Sequence, residues 1–315
     1  MRRVVLALLG AVLLIGAAVA FTVQARQSAA QDEPPVERLT LAAGQLLVRD
    51  TVTGRVTSVS PTDPDGPRRS SGLKCDRFAA AKTTAVCLTA RPGVLPAVTD
   101  VQVLDADLAV RHQESLPGTP SRARVSPDGG IVTWTLFVTG DSYAATGFST
   151  RAGLYEVATG RLVKTIEELP VFTGDRRYFA ADVNYWGVTF AADGNRFYAT
   201  LGSRGTTRLV EADYGRYQGK VLRENVECPS LSPDGKRIAF KKKVSEGVWR
   251  LAVLDLATLE ERELAEPGNV DDQALWQDDS TVLYGLDNAV WAVPADGSGS
   301  PRLVARNASS PSVTG

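Results

Sequence analysis

The sequence predicts an all-β chain folded as a six-bladed β-propeller of four-stranded antiparallel blades. Three observations predict it: a repeated turn centred on Asp, a second hairpin after each copy of that turn, and chain ends that supply complementary parts of one blade. The turn recurs in VSPDGGIVTW (125–134), FAADGNRFYA (190–199), LSPDGKRIAF (231–240) and WQDDSTVLYG (276–285). In each, an apolar residue leads into a polar turn, and an apolar or β-branched strand follows. Pro127 and Pro233 preset φ for the second turn position, Asp128 and Asp234 accept from nearby backbone amides, and Gly129 and Gly235 tolerate positive φ. The matched Asp residues at 128, 193, 234 and 279 lie 65, 41 and 45 positions apart, and RFAAAKTTAVCL (77–88) is a degenerate fifth copy.

The second hairpins are VQVLDADLAVRHQ (101–113), LYEVATGRLVKTI (154–166), RLVEADYGRYQGKVL (208–222), RLAVLDLATLEEREL (250–264) and AVWAVPADGSGSPRLV (289–304). Most are interrupted by Thr-Gly, Tyr-Gly or Asp-Gly, a strand–turn–strand signal. Two hairpins per unit make four antiparallel strands, the pattern of a propeller blade. Five units run from Leu73 to Arg306. At the front, RLTLA (38–42), QLLVRD (45–50) and RVTSVS (55–60) offer three strands, and the tail Ser309–Val313 resembles Cys228–Leu231, the start of an earlier repeat. One C-terminal and three N-terminal strands would then close the sixth blade and remove exposed sheet edges.

Arg2 and Arg3 precede Val4 to Val23, twenty residues without a charge, which is enough to span a bilayer as a helix. Residues 1–23 read as a signal anchor, or as a signal peptide cleaved after Ala18-Val19-Ala20. Residues 24–37 form a polar, Pro-containing linker, and 38–315 the propeller. Either reading exports the propeller, so the expected location is the cytoplasmic membrane, single-pass, with the propeller outside. Outside the reducing cytosol disulfides persist, and a hairpin centred near Ala81 sets Cys75 opposite Cys87, predicting a bridge; the alternative is two buried thiols. Cys228 reads as a small core residue.

Composition excludes more than it names. With 35 Lys plus Arg against 36 Asp plus Glu there is no global field for nucleic acid. One His rules out a multi-His metal site, and three Cys rule out an all-cysteine zinc site. His112 falls near an outer strand, away from any channel, so a catalytic triad built on it is not expected.

The repeats, above all LSPDGKRIAF and VSPDGGIVTW, resemble the WD40-like (PD40) repeats of the TolB propeller from about Arg38 to the end. The segments 182–201, 224–243 and 249–266 look like an actinobacterial group of membrane-anchored TolB-like proteins. The resemblance implies an extracytoplasmic propeller that binds other proteins and has no catalysis of its own. The chain departs from TolB in showing no N-terminal α/β domain.

Two long insertions, 139–151 and 170–186, fall on the face carrying the connections between second and third strands and between blades. They hold Tyr143, Phe148, Arg151, Arg176, Arg177, Tyr178, Asp182, Asn184, Tyr185 and Trp186, types enriched at binding hot spots. The alternative is that Phe172, Phe179 and Trp186 only cover the blade. Glu227, Asp271 and Asp272 open connections on the same face and are weak candidates for a channel cation, since hard cations take oxygen ligands. Lys241–Lys243 read as a solvated charge run. The expectation is therefore a monomeric, membrane-anchored scaffold for an envelope protein or cell-wall component, not an enzyme and without cofactor. The alternatives are a channel-bound small-ligand or ion sensor, or a metal-dependent lactonase-like or lyase-like propeller enzyme.

Overall fold

A computed structural model describes residues 35–138 and 149–315. The expected anchor (Val4–Val23) and most of the expected linker lie outside them. Among the described residues no helix is long and apolar enough to cross a membrane. Residues Glu37–Gly315 form one compact unit.

That unit is a propeller of six antiparallel blades. Blade 1 contributes β1 (Gln45–Asp50), β2 (Arg55–Val59) and β3 (Arg69–Lys74). Blade 2 is β4 (Arg77–Ala81), β5 (Thr84–Ala90), β6 (Val98–Leu104) and β7 (Val110–Pro117). Blade 3 is β8 (Thr119–Val125), β9 (Ile131–Val138), β10 (Ser149–Glu156) and β11 (Leu162–Val163). A short hairpin, β12 (Val171–Thr173) and β13 (Arg176–Tyr178), precedes blade 4: β14 (Asn184–Phe190), β15 (Arg196–Ser203), β16 (Thr206–Asp213) and β17 (Gln218–Glu224). Blade 5 is β18 (Glu227–Leu231), β19 (Arg237–Ser245), β20 (Val248–Asp255) and β21 (Glu261–Glu263). Blade 6 is β22 (Leu275–Asp278), β23 (Thr281–Leu286), β24 (Ala289–Pro294) and β25 (Arg302–Arg306). The last strand, β26 (Ala308–Thr314), pairs with β1 and completes blade 1 in the order β26-β1-β2-β3. One C-terminal strand thus joins three N-terminal ones, as expected.

First strands touch in the cyclic order β26, β4, β8, β14, β18, β22 and back to β26, so they ring the central channel. The apolar core is split into layers between blades rather than gathered at one centre. Val86 and Leu88 of blade 2 meet Val132 and Trp134 of blade 3, and Tyr198 and Leu209 of blade 4 meet Ile238 and Phe240 of blade 5. Because both faces of a blade are covered, middle strands bury consecutive residues, as in Thr84–Leu88.

The repeated turn works as its residues imply. Ser126 Oγ and Gly130 N donate to Asp128 Oδ1, and Ser232 Oγ and Lys236 N to Asp234 Oδ1. Blade 6 is the exception. There Asp278, not Asp279, accepts from Ser280 N at 2.8 Å, because the turn between β22 and β23 is shorter. The likeness of the tail to Cys228–Leu231 has a backbone basis: Gly187, Cys228 and Ser310 all take positive φ (63°, 49° and 49°) in inner strands. Breaks in register accompany all three, between Trp186 and Thr189, between Glu227 and Ser230, and between Leu47 and Arg49 opposite Ser310. Such bulges bend a strand at the channel.

Three local expectations are corrected. Arg38–Ala42 is not a strand; Leu39 and Leu41 pack between blades 1 and 2 beside Phe78 and Leu104, and the third N-terminal strand is β3. Alternating burial in RLTLA mimics a strand, but its Leu41 amide is used by Ala106 O rather than by a ladder. The Cys75–Cys87 disulfide forms, yet Cys87 pairs across the ladder with Phe78. Cys75 lies just before β4 and reaches Cys87 with a Cα–Cα separation of 5.4 Å, because the turn centres on Lys82 and Thr83. Finally, part of insertion 170–186 is not loop: β12 pairs in parallel with β17 and extends blade 4 outward to six strands, satisfying an otherwise open edge.

Candidate functional site

A cavity of about 630 Å³ opens at the mouth of the channel. It lies on the face with the interblade connections and the turns between second and third strands, which is the face that both insertions share. Its walls come from inner strands (Arg77, Arg122, Trp186, Glu227, Cys228), from the connection into blade 6 (Asp271), from the turn between β15 and β16 of blade 4 (Arg204), and from β19 and β20 of blade 5 (Lys241, Trp249).

The floor is tied across the axis. Blades 3 and 6 stand opposite each other in the ring, and Arg122 Nη2 donates to Asp271 O at 3.1 Å while Arg124 Nη2 donates to Ala274 O at 2.7 Å. Gln273 Nε2 donates to Pro229 O at 2.8 Å, adding blade 5. Period-two alternation explains the pair: Arg122 and Arg124 share the channel side of β8, while Val125 enters the layer between blades 2 and 3. A void of about 30 Å³ lies beyond, lined by Arg77, Arg122, Arg124 and Asp272.

The mouth is an ion-pair network. Arg122 approaches Asp271 at 3.6 Å and Asp272 at 3.5 Å. Lys241 Nζ bonds Asp271 and stands 3.8 Å from Glu227, with its side chain 5% exposed. The Trp249 indole N–H donates to Glu227 Oε1 at 3.1 Å, and Lys241 lies over the Trp249 ring at 4.4 Å. Burial opposes the charge of Arg122, but the Cys228 sulfur, Asp272 and Asp271 hold its pKa above the ordinary value. Lys241 behaves alike, with the Cys228 sulfur, Asp271 and Glu227 outweighing burial. Arg124 has no ion pair with a carboxylate among the described residues, and burial pulls it down to about 10 against the field of Asp272.

The rim belongs to blade 4. Ser203 Oγ donates to Asp182 Oδ1 at 2.6 Å, Arg204 N donates to Asp182 Oδ2, and Tyr178 OH donates to Ser203 Oγ at 3.0 Å. Burial alone would raise the Asp182 carboxyl, and these hydrogen bonds hold it below its usual value instead. Arg208 lies 5.3 Å over the Tyr178 ring. Trp186 packs on Gly202, where a Cβ would come within 2.5 Å of the indole.

Of the residues expected at a binding surface, Asp182, Asn184 and Trp186 line the cavity and Tyr178 supports its rim. Arg176 and Arg177 are exposed on β13 at the outer edge of blade 4, the latter with its guanidinium 4.4 Å from the Phe179 ring centre. Arg151 is exposed at the start of β10. Tyr185 is wholly buried in the layer between blades 3 and 4, because alternation along β14 sends it opposite to Asn184 and Trp186. Tyr143 and Phe148 lie outside the described residues. Glu227, Asp271 and Asp272 do reach the mouth, where the chain's own cations engage them. Among the described residues no group of three or more His, Cys, Asp and Glu is placed to hold a metal ion. Lys241–Lys243 are not a solvated run: Lys241 enters the cavity wall, and Lys242 and Lys243 pair with Glu261 and Glu246. Cys228 is buried, as expected of a small core residue, and also borders the cavity. His112 stacks on Tyr155 with ring centres 4.2 Å apart, on an outer strand.

Sequence reasoning missed Arg77, Arg122, Lys241 and Trp249. The signal was present in SRARV (121–125), where two charges alternate along a strand that ends in a repeat turn, which marks a channel-facing register.

No protein-family model matches the chain, and no curated protein matches it in sequence. Solved structures do match in fold. TolB from Acinetobacter baumannii is 16% identical with a TM-score of 0.54, over 86% of this chain and 67% of that one. A puromycin-hydrolyzing peptidase of Mycobacterium tuberculosis is 18% identical with a TM-score of 0.52, over 85% of this chain but only 44% of the peptidase. A chain of a nidogen–laminin complex is 10% identical with a TM-score of 0.55, over 86% of this chain and 98% of that one. The peptidase overturns one expectation: the same propeller occurs in an enzyme, so a propeller with no visible catalytic constellation does not make this chain a non-enzyme. At these identities the likeness is one of architecture, and the chain is a six-bladed β-propeller of the TolB-like fold.

Proposed function

We propose that the chain is a membrane-anchored, extracytoplasmic propeller that binds a component of the cell envelope through the face carrying the cavity. The observation that carries this reading is the cavity of about 630 Å³ at the channel mouth, rimmed by Arg204, Trp186 and Trp249, on the face where both long insertions emerge. Cavities of about 300–1,000 Å³ on a rigid scaffold are typical of recognition sites, and Trp and Arg dominate binding energy where they occur. The Cys75–Cys87 disulfide supports an oxidising compartment, as does the uncharged run Val4–Val23. Propellers of this fold also occur in a TolB and in a nidogen–laminin complex.

The test is in-cell photo-cross-linking of the full chain from position 204 on the cavity rim, with position 236 on the opposite face as control. Specific adducts from 204 and none from 236 are expected. Equal yields from both faces, or none from 204, reject the face assignment. Cleavage of the propeller by protease added to intact spheroplasts is expected for the location, and full protection rejects it.

A further inference from the structure

Arg77 is a cation of the channel mouth. It opens β4 and lines both the main cavity and the small void beyond it. Its guanidinium makes no hydrogen bond or ion pair among the described residues, and burial lowers its pKa, with the field of Asp272 opposed by Arg122 and Arg49. Its neighbours are engaged: Arg122 with Asp271 and Asp272, Lys241 with Asp271 and Glu227, and Arg49 Nε with Cys75 O at 2.6 Å. A desolvated charge is costly unless it is paired.

The charge balance of the cavity wall identifies the missing partner. Among the described residues, five cations around the cavity and the void beyond it (Arg77, Arg122, Arg124, Arg204, Lys241) face four carboxylates (Asp182, Glu227, Asp271, Asp272), which leaves one positive charge. One excess charge carried by a planar guanidinium suits a monoanion of matching planar shape, and these carboxylates disfavour a dianion such as phosphate. We propose that the channel mouth binds a carboxylate, held by Arg77, with the apolar body of its bearer against Trp186 and Trp249. The proposal rests on the reading of this face as the binding face and names the group that the face recognises. The carboxylate belongs to a free organic acid or to the C-terminus of a polypeptide; the shared chemistry is the same.

The test uses the full chain in detergent, following tryptophan fluorescence and the thermal transition. The probes are phenylacetate with phenylacetamide as its neutral twin, and the tripeptide Gly-Gly-Phe with a free or an amidated C-terminus. Saturable binding of at least one acid is expected, with its amide weaker by roughly 10- to 100-fold, the span of a lost charge-assisted hydrogen bond. Arg77→Met is expected to abolish the preference for acid over amide while keeping the thermal transition. Arg77→Lys should restore part of it, and Arg176→Met on the outer edge should leave it unchanged. Preference for the peptide acid assigns the source to a polypeptide, and preference for phenylacetate to a free acid. Binding of neither acid, equal affinity of acid and amide, or an Arg77→Met chain that keeps the preference overturns the proposal. Adducts from position 204 that persist while the carboxylate preference is absent reject this inference alone. Absence of those adducts from the chain carrying the cross-linker at 204 with Arg77 intact rejects the face assignment itself.

Discussion

Glu167 makes a pH-dependent contribution to stability that can be worked out from its surroundings. It lies between β11 and β12, where Oε1 accepts from Ala152 N at 3.1 Å and Oε2 is buried without a hydrogen-bond partner. Burial pushes its carboxyl up to about 7, against 4.5 for the exposed group. The folded chain therefore holds this proton more tightly than the unfolded chain. Its stabilising effect is complete below about pH 4.5 and is lost as pH rises through 7. At about 1.4 kcal/mol per pH unit, the shift corresponds to roughly 3 kcal/mol. Glu167→Gln keeps the acceptor for Ala152 and removes the titration. Urea unfolding of wild type and variant between pH 5 and pH 8 reads the effect. The wild type should lose roughly 2–3 kcal/mol more than the variant across this window, leaving the variant the more stable chain at pH 8. Carboxylates held low by hydrogen bonds, such as Asp105, Asp213 and Asp255, act with the opposite sign below about pH 4 and do not enter the difference. Parallel pH profiles for the two chains, or a variant less stable at pH 8, would refute the reasoning.

Two further outcomes test the site and the closure. Lys241→Met should cost about 3–5 kcal/mol, because it leaves Glu227, whose side chain is 9% exposed, without its cation. Asp271→Asn, at a side chain 57% exposed, should cost under about 1 kcal/mol; denaturant midpoints of the two variants in the same buffer decide, and equal losses would contradict the burial argument. Cys75→Ala should destabilise the chain by about 2–3 kcal/mol, the scale for a bridge across a short loop, and reduction of the wild type should reproduce the loss. A wild type insensitive to reductant would show that the bridge does not hold blades 1 and 2.

The recognition of the propeller rested on local chemistry that survives in a string of letters. Pro-Asp-Gly turns, period-two alternation and the likeness of Ser309–Val313 to Cys228–Leu231 need only neighbouring residues, so blade number and blade closure were both legible. The errors fell where two strand-like readings compete locally. RLTLA alternates like a strand but straps two blades, and insertion 170–186 reads as loop although its hairpin caps an open edge.

The candidate site was legible as a face and not as a constellation. Inserted loops pointed to the end of the channel where the cavity opens and to Asp182, Asn184 and Trp186 in its wall. They could not point to Arg122, whose partner Asp271 lies 149 residues away on the opposite side of the ring. Nor could they separate Lys241, which is 4% exposed as a residue, from the two lysines that follow it. By itself the sequence determined the fold, the number of blades, how the ring closes and which cysteines join. Tertiary structure alone decided which charges face one another. The reason is physical: pairing across a channel depends on ring closure and on strand register, and a shift of one residue sends every side chain to the other face.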